Sequence, residues 1–399
     1  MIDDLLKESV QAFIVQNETS DPFELTLKQK EVSGVPIALI SQQISARQTA
    51  KKKFPAWYAT ERLVYPPRLS LEQSSSQVTA EYKASLFKGE SFIDLTGGMG
   101  VDAWAFSKSF QSATYIEKQE QLSNLAKHNF DRLGLPKLEV VNTTAEAFLE
   151  HESTDFDLIY IDPARRDKNT NKVFRLVDCT PNVLELLPIL LKRAEQLLVK
   201  TSPMMDIEQA LQELSYVKEV HILSVESECK EVLYLLSEKE PSTPLNIRTI
   251  NFTKGAIQEF EFEKESEKNV ESTFSAPSTY LYEPNSAIMK SGGYKLIGTR
   301  YELSKLHVHT HLYTSDKYLE NFPGRVFQII GQTTFDKKSI KKIIPDGKAN
   351  VATRNFLVDV KTVKKRLGLK DGGSYYLFAC TDLYNKPTML LCIKVSRSQ

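Results

Sequence analysis

The sequence predicts an α/β protein, with a doubly wound parallel sheet in the middle of the chain, helices before it and a smaller α+β region after it. Two observations support this prediction. Between about residues 78 and 239, short apolar runs alternate with amphipathic helices, and a glycine-rich turn follows the first run. Regular alternation of this kind needs crossover connections, which give parallel sheets.

Helical periodicity marks the N-terminal region, which we place at residues 1–77. Apolar residues between positions 5 and 14 recur at intervals of three and four. A basic and aromatic stretch follows, and it suits nucleic-acid phosphates and stacked bases. The alternative is a helical packing face with a solvated basic edge. The stretch comprises Lys51, Lys52, Lys53, Trp57, Tyr58, Arg62, Tyr65 and Arg68.

Five buried strands separated by helices define the α/β domain at residues 78–239. The predicted strands are 92–95, 113–116, 138–141, 158–161 and 197–199, and the clearest helices are 119–133 and 182–194. Two further apolar runs, 217–223 and 231–236, are separated by a short polar segment. We expect them to form an antiparallel pair at the edge of the sheet.

A charged, proline-containing break precedes the next region, a ferredoxin-like linker domain at residues 240–322. Its run 259–271 is rich in Glu and Lys and predicts a solvated hairpin or loop. A strand over 306–313 would carry three histidines on one face, at positions 307, 309 and 311. A metal site is possible there, but no acidic or cysteine partner is placed nearby, so we favour a polar sheet face and expect no metal.

The last region, residues 323–399, has the order strand, helix, strand, helix, strand, strand, which is typical of small ferredoxin-like domains. The predicted elements are 326–330, 338–343, 349–353, 360–367, 375–379 and 388–395. This region is locally basic and is the best candidate in the chain for binding RNA. Its cations are Lys337, Lys338, Lys341, Lys342, Lys348, Arg354, Lys361, Lys364, Lys365 and Arg366.

The overall composition is that of an ordinary globular protein. Of 399 residues, 41% are hydrophobic, and the 51 Lys and Arg balance the 51 Asp and Glu. This balance removes a global basic signal for nucleic acid but leaves local patches possible. The four cysteines show no C-x-x-C spacing, and no run approaches the ~20 apolar residues of a membrane span. We expect a cytoplasmic protein with reduced thiols and no membrane association.

The glycine-rich turn is the first candidate binding site. Asp94 ends the first predicted strand, and the turn continues through Thr96, Gly97, Gly98 and Gly100. Glycines let a backbone approach a ligand closely, and the same spacing also fits a dinucleotide fingerprint. A carboxylate at position 94 would repel a pyrophosphate but would attract the cationic amino and sulfonium groups of S-adenosylmethionine. The charge therefore favours S-adenosylmethionine over a nicotinamide dinucleotide or a domain that binds no nucleotide.

Further cofactor contacts are predicted at the ends of the next two strands. Glu117 ends the second strand, where an acidic side chain can hold both ribose hydroxyls. The exit of the third strand, with Thr144 and Ala145, can flank the adenine.

The fourth strand ends in Asp162-Pro163, followed by Arg165 and Arg166. Ligands of open α/β sheets bind beyond the carboxyl ends of the strands, so Asp162 would face the transferred methyl group. A carboxylate there can orient or deprotonate a nucleophile. The two arginines suit phosphate or carboxylate, with surface salt bridges as the alternative.

These residues resemble those of class I methyltransferases: Asp94–Gly100 is similar to their motif I and Asp162-Pro163 to their motif IV. Four segments together resemble a bacterial family of such enzymes with a THUMP-like C-terminal domain. The segments are Leu71-Glu-Gln-Ser-Ser-Ser76, 94–102, Asp162-Pro-Ala-Arg-Arg166 and 348–356. The resemblance implies a Rossmann-like methyltransferase domain, S-adenosylmethionine as cofactor and RNA, transfer or ribosomal, as substrate. Arg354, in the last segment, is a candidate substrate-binding residue.

The acceptor atom stays open between a base nitrogen and a ribose 2′-oxygen. The order Lys83, Asp162, Lys200, Glu231 resembles the catalytic tetrad of ribose 2′-O-methyltransferases, in which a lysine deprotonates the hydroxyl. Asp162-Pro163-Ala-Arg is closer to motifs of base methyltransferases, and amino-nitrogen methylation needs only positioning and one proton acceptor. Uracil C5 methylation is disfavoured because Lys200-Thr-Ser-Pro203, after the fifth strand, contains no cysteine, while Cys229 comes late and Cys179 lies on the loop after the fourth strand. A methyltransferase for protein or small molecules, or a non-catalytic RNA-binding protein, are the other hypotheses.

Overall fold

A computed structural model of the chain describes residues 2–165, 175–239 and 243–395. The chain divides into two units, Met1–Val217 with Tyr234–Ser242, and Lys218–Leu233 with Thr243–Gln399. In the part that is described, no helix is both long and apolar enough to cross a membrane.

The first unit begins with short helices and a two-stranded hairpin packed around one long helix, α4. These elements are α1 Ile2–Leu5, α2 Glu8–Gln16, α3 Pro22–Lys28, β1 Glu31–Val32, β2 Val35–Pro36, α4 Ile37–Lys53, α5 Pro55–Ala59, α6 Arg68–Gln73 and α7 Gln77–Ser85. Their apolar residues, among them Val10, Ile14, Ile40 and Ile44, form one core cluster. The predicted helical character of this region is confirmed.

Two of the three aromatic residues of the basic stretch, Trp57 and Tyr65, lie in the core rather than at the surface. Trp57 is fully buried and meets the Trp104 ring edge-on, with 6.3 Å between ring centroids. Tyr65 is also buried, and Tyr58 is half-buried beside Arg47. The packing alternative therefore describes this stretch better than a stacking surface for bases.

A parallel sheet follows, with helices between its strands. Its elements are β3 Gly89–Asp94, α8 Val101–Phe106, β4 Phe110–Ile116, α9 Glu120–Arg132, β5 Leu138–Val141, α10 Ala145–His151, β6 Phe156–Ile161, β7 Ala164–Arg165, a 3₁₀ turn Leu176–Asp178, β8 Cys179–Thr180, α11 Val183–Arg193, β9 Ala194–Thr201 and α12 Ile207–Glu213. The five long strands are parallel in the order β9-β6-β3-β4-β5. The order reverses between β3 and β6, which is where open α/β sheets bind ligands.

The two runs predicted as an edge pair are β10 Val217–Val225 and β11 Glu228–Leu236, joined by a two-residue turn. Both turn residues, Glu226 and Ser227, have positive φ, which is the geometry of a tight hairpin. The edge position is wrong, because β10 also pairs in parallel with β12 Asn246–Phe252. In turn, β12 pairs with β13 Ile257–Glu263. The charged run thus forms a strand and a helix, α13 Lys264–Asn269.

The rest of the second unit is a seven-stranded sheet with helices. Its elements are β14 Tyr280–Pro284, α14 Ser286–Ser291, α15 Leu296–Arg300, β15 Ser304–His307, β16 Thr310–Ser315, β17 Gly324–Thr333, α16 Lys337–Ile343, β18 Asn350–Arg354, α17 Val360–Leu367, β19 Tyr375–Thr381 and β20 Pro387–Lys394. The strand order is β15-β16-β14-β17-β20-β19-β18. Because β14 pairs with β17, strands on both sides of the boundary predicted at 322/323 share one sheet.

The three histidines do not lie on one strand, so that prediction is wrong. A turn after His307 divides the predicted strand into β15 and β16, and His309 lies in the turn. His307 Nε2 is 2.8 Å from the side-chain oxygen of Asn385, and the His311 ring stacks on Tyr294. Among the described residues, no group of His, Cys, Asp or Glu side chains is arranged to hold a metal ion.

Candidate active site

The glycine-rich turn packs closely on the aromatic residues beneath it. The Gly97 amide donates to the Ile116 carbonyl at 2.8 Å, and a Cβ at Gly97 would lie 2.1 Å from the Tyr115 ring. Gly100 has a φ of +86°, and a Cβ there would lie 2.5 Å from the Phe130 ring. Only glycine fits at these two positions, so the backbone between β3 and α8 is held in one shape.

Glu117, directly after β4, stabilises this turn through hydrogen bonds from its side chain. One carboxylate oxygen accepts from the Gly98 amide at 2.9 Å, and the other accepts from the Gln119 amide at 2.7 Å. The side chain is buried. A carboxylate has about four acceptor positions, so these two bonds leave capacity for the hydroxyl groups of a ribose.

The exit of β5 lies next to Glu117. Asn142 donates its side-chain amide to the Glu117 carbonyl at 2.7 Å. Thr144 caps α10 by accepting from the Ala147 amide at 3.2 Å, and its side chain is exposed, whereas Ala145 is buried. The two residues predicted to flank the adenine thus begin a helix at the same sheet edge as Glu117.

Asp94 carries a buried carboxylate whose surroundings suit a positively charged ligand. One oxygen accepts from the Thr96 amide at 2.9 Å and from the Thr96 hydroxyl at 3.3 Å. Burial, with the nearby carboxylates of Asp102 and Asp162, raises its pKa to about 8. Within the described chain, no lysine or arginine forms an ion pair with it. This environment fits a ligand that brings its own positive charge, as the methionyl amino group of S-adenosylmethionine does.

Asp162 follows β6 at the same point of the sheet. Its amide donates to the Thr96 hydroxyl at 2.7 Å, which ties it to the Asp94 turn. Its carboxylate lies 2.5 Å from the Lys200 ammonium, on β9. The Asp162 side chain is 33% exposed but that of Lys200 only 8%, so the carboxylate is the member of the pair that an acceptor can reach. Pro163, directly after it, is buried.

A second ion pair lies behind the first. Lys83, on α7, is fully buried with its ammonium 2.9 Å from Asp102 on α8. Ser75 donates its hydroxyl proton to Asp102 at 2.8 Å, and the same oxygen lies 2.7 Å from the Lys83 ammonium and 3.4 Å from that of Lys200. Tyr160 also donates to Asp102, at 2.9 Å. Sequence reasoning assigned no role to Ser75, Asp102 or Tyr160.

One signal for Asp102 was present in the sequence. It is the single charged residue of α8, whose other residues are apolar and buried. A carboxylate on such a helix needs a buried partner. Ser75 lies in the segment Leu71–Ser76 that resembles the family, but its residue type does not indicate a buried role, because serine is common in exposed turns.

The remaining predicted residues belong to the second unit or lie, in whole or in part, outside the described residues. Glu231 is a buried residue of β11 in the second unit. Arg354, also in the second unit, donates at 2.5 Å to Glu283, which Arg325 also binds. The backbone of Arg165 forms β7, but its side chain and the whole of Arg166 lie outside the described residues.

Comparison with family models matches three segments of the chain. Residues 77–222 match a family described as conserved hypothetical protein 95, residues 280–323 a ferredoxin-like domain, and residues 324–394 a THUMP domain-like family. The C-terminal segments thus confirm the ferredoxin-like and THUMP-like character that the sequence predicts.

Two proteins with assigned names are similar to the chain. A crystal structure of a candidate methyltransferase from Porphyromonas gingivalis W83 is 30% identical, with a TM-score of 0.84, over 97% of this chain and 98% of that one. A Sulfurisphaera tokodaii protein named as cobalt-precorrin-6B C(15)-methyltransferase (decarboxylating) is 27% identical over 109 residues. That match spans 27% of this chain and 57% of the S. tokodaii protein, slightly more than half of its length.

The fold and the relatives define the class as the S-adenosylmethionine-dependent methyltransferases with a Rossmann-like domain. Within that class, the chain belongs to the family of the P. gingivalis protein, which it matches along nearly its whole length. The predicted enzyme class and cofactor are confirmed at this level.

Proposed function

We propose that the protein transfers the methyl group of S-adenosylmethionine to RNA, at an amino nitrogen of a base. The observation that carries this proposal is the place of Asp162. Its partly exposed carboxylate stands where the strand order reverses, bonded through Thr96 to the turn of Asp94. Cofactor and acceptor would therefore meet at one edge of the sheet.

The residues of the turn would hold the cofactor. Asp94 would pair with the amino group, Glu117 with the ribose hydroxyls, and Thr144 and Ala145 would lie beside the adenine. The backbone of Thr96, Gly97, Gly98 and Gly100 would line the methionyl part. When bound, S-adenosylmethionine supplies an electrophilic methyl group on a cationic sulfur.

Asp162 would serve the acceptor. An amino nitrogen that gains a methyl group must lose one proton, and the Asp162 carboxylate is placed to orient the nitrogen and take that proton. Pro163 restricts the backbone that aims it. The buried Lys200 ammonium holds the carboxylate in place from behind.

The same geometry makes ribose methylation the less favoured alternative. A lysine that deprotonates a ribose hydroxyl must touch it, but Lys83 is fully buried against Asp102 and Lys200 is largely covered. The tetrad with Glu231 stays a prediction.

Support for RNA comes from the second unit. Most of the predicted cations on α16, α17 and the turns around them have exposed side chains, as phosphate contacts require. Those exposed are Lys337, Lys338, Lys341, Lys342, Lys348, Lys361, Lys365 and Arg366. Arg354 is 38% exposed and keeps N–H donors beyond the one that Glu283 accepts, so it could add a phosphate contact. Arg165 and Arg166, which follow Asp162 in the sequence, would add others.

Transfer of tritium from labelled S-adenosylmethionine to purified cellular RNA tests the proposal. We expect label in RNA and not in protein or small molecules. Asp162→Asn should lower the rate at least about 100-fold, because general-base catalysis contributes 10²–10⁴-fold, while cofactor affinity stays within about threefold. Asp178→Asn, an exposed acid in the same connection, is the control and should keep full activity. Label only in protein, or cofactor binding without any transfer, would contradict the proposal.

A further inference from the structure

Five side chains behind Asp162 form a continuous polar network although each belongs to a residue that is at least nine-tenths buried. They come from five different segments of the first unit: Ser75 before α7, Lys83 on α7, Asp102 on α8, Tyr160 on β6 and Lys200 on β9. Burying two lysines and an aspartate costs stability even when they are paired, and apolar residues of similar volume often stabilise a fold as well. Stability alone therefore does not account for this network.

The direction of each hydrogen bond assigns Ser75 a central place. An ionised carboxylate only accepts, so Ser75 and Tyr160 both donate to Asp102. Because the Ser75 proton is committed to Asp102, its oxygen lone pairs face the ammonium groups of Lys83 and Lys200. One serine hydroxyl thus joins the Lys83–Asp102 pair to the Lys200–Asp162 pair.

The charges around Asp102 keep this arrangement ionised. Burial would raise the pKa of Asp102, but Lys83, Lys200 and the hydrogen bonds it accepts outweigh burial and lower it. Asp102 therefore stays negative and, through the Ser75 hydroxyl that it orients, helps to fix the position of the Lys200 ammonium.

Asp162 depends on Lys200 more than on any other charged group that faces it. Burial raises the pKa of Asp162, and the carboxylate of Asp102 acts in the same direction. The positive charge of Lys200 lowers the pKa of Asp162 most strongly, and that of Lys83 lowers it more weakly. A small displacement of Lys200 would consequently change how readily Asp162 accepts a proton.

We propose that Ser75, Asp102 and Lys83 are positioning residues for methyl transfer, which hold Lys200 against Asp162 and so keep that carboxylate ionised and aimed at the acceptor. The proposal rests on the proposed role of Asp162. None of the three positioning residues needs to touch the substrate.

Ser75→Ala is the sharpest test, because it removes the shared hydroxyl and leaves all four charges in place. Asp102→Asn is less suitable, since it would leave the Lys83 ammonium buried without a carboxylate. We expect Ser75→Ala to lower kcat about tenfold, the scale of one hydrogen bond to a charged group, with KM and cofactor affinity unchanged. The acidic limb of the kcat–pH profile should move to higher pH. Ser75→Thr keeps a hydroxyl and should show the wild-type kcat and the wild-type pH profile.

The adjacent serine provides a matched control. Ser74 donates to the Leu71 carbonyl and lies near the Met99 sulfur, outside the network. Ser74→Ala should therefore leave kcat and the pH profile as in the wild type. A folded Ser75→Ala variant with wild-type kcat and pH profile would overturn the proposal. A lower melting temperature of that variant would not rescue it, because a purely structural role changes only the melting temperature.

A second readout does not depend on the identity of the acceptor. Titration of ¹³C-labelled aspartate side chains by NMR should show a higher pKa for Asp162 in Ser75→Ala than in the wild type or Ser74→Ala. An unchanged Asp162 titration would refute the positioning role. A shifted titration in a protein that methylates no RNA would instead refute the proposed function and leave the positioning role standing.

Discussion

Asp94 is the residue from which the choice of cofactor follows most directly. Its carboxylate is buried, its hydrogen bonds among the described residues stay within its own turn, and its pKa is raised to about 8 from an ordinary 3.8. The folded protein therefore holds this proton more tightly than the unfolded chain. By linkage, the contribution of Asp94 to stability is fully present below about pH 4 and is lost as the pH rises toward 8.

Asp94→Asn should remove that pH dependence, because asparagine can accept the same hydrogen bonds without ionising. We expect the melting temperature of the variant, relative to the wild type, to be higher at pH 8.5 than at about pH 5. The variant should also bind S-adenosylmethionine at least about tenfold more weakly, since the charged hydrogen bond to the amino group is lost. Calorimetric melting and titration check both effects.

The exposed Asp155 gives the control for this residue. Asp155→Asn should alter neither the pH dependence of melting nor cofactor affinity. If Asp94→Asn melts in parallel with the wild type at every pH, the carboxylate is not protonated in the folded protein and our account of its environment is wrong.

At the scale of single residues, the sequence predicts the acids at the strand ends better than the contacts of the buried lysines behind them. Asp94 and Asp162 end apolar strands, and strand ends of parallel sheets meet at one edge. The partners of Lys83 and Lys200 could not be assigned, because the shared contact through Ser75 joins segments 8 and 125 residues apart in the chain.

At the scale of elements, helix α17 is the most directly testable part of the basic surface. Lys361 and Lys365 are exposed on it, and its last turn is rich in cations, which suits the negative end of the helix dipole. The double variant Lys361→Gln/Lys365→Gln should weaken RNA binding and reduce the salt dependence of log K by about one to two units, because each single-strand phosphate contact contributes roughly 0.7.

Fluorescence anisotropy with a labelled single-stranded oligoribonucleotide at several salt concentrations measures this slope. Lys28→Gln/Lys30→Gln removes two exposed lysines from the first unit and should leave the slope unchanged. Equal slopes for both double variants would mean that α17 does not contact the RNA backbone.

Elements with clear periodicity and local caps were predictable, and α17 and the parallel strands are examples. Elements that depend on distant pairing were not. The turn that divides β15 from β16 has no glycine or proline, and the histidines around it alternate like residues of a strand. The extension of β10 by β12 and β13 follows from pairing between segments on either side of a charged, proline-containing break, which local sequence does not reveal.

At the scale of the whole molecule, the two units carry different parts of the proposed function. The first unit contains the Asp94 turn, Asp162 and the network behind it, and the second contains the basic helices. In the function that we propose, the first unit would supply the chemistry, and the exposed cations of α16 and α17 in the second unit would contact the RNA.

The most direct test of the central claim is mass spectrometry of nucleosides from RNA incubated with the protein and S-adenosylmethionine that carries a deuterated methyl group. We expect one labelled nucleoside whose label stays with the base after the sugar is cleaved, and none with Asp162→Asn. Label on the ribose would favour the lysine-based alternative. RNA without any label, from a protein shown to bind the cofactor, would contradict the account.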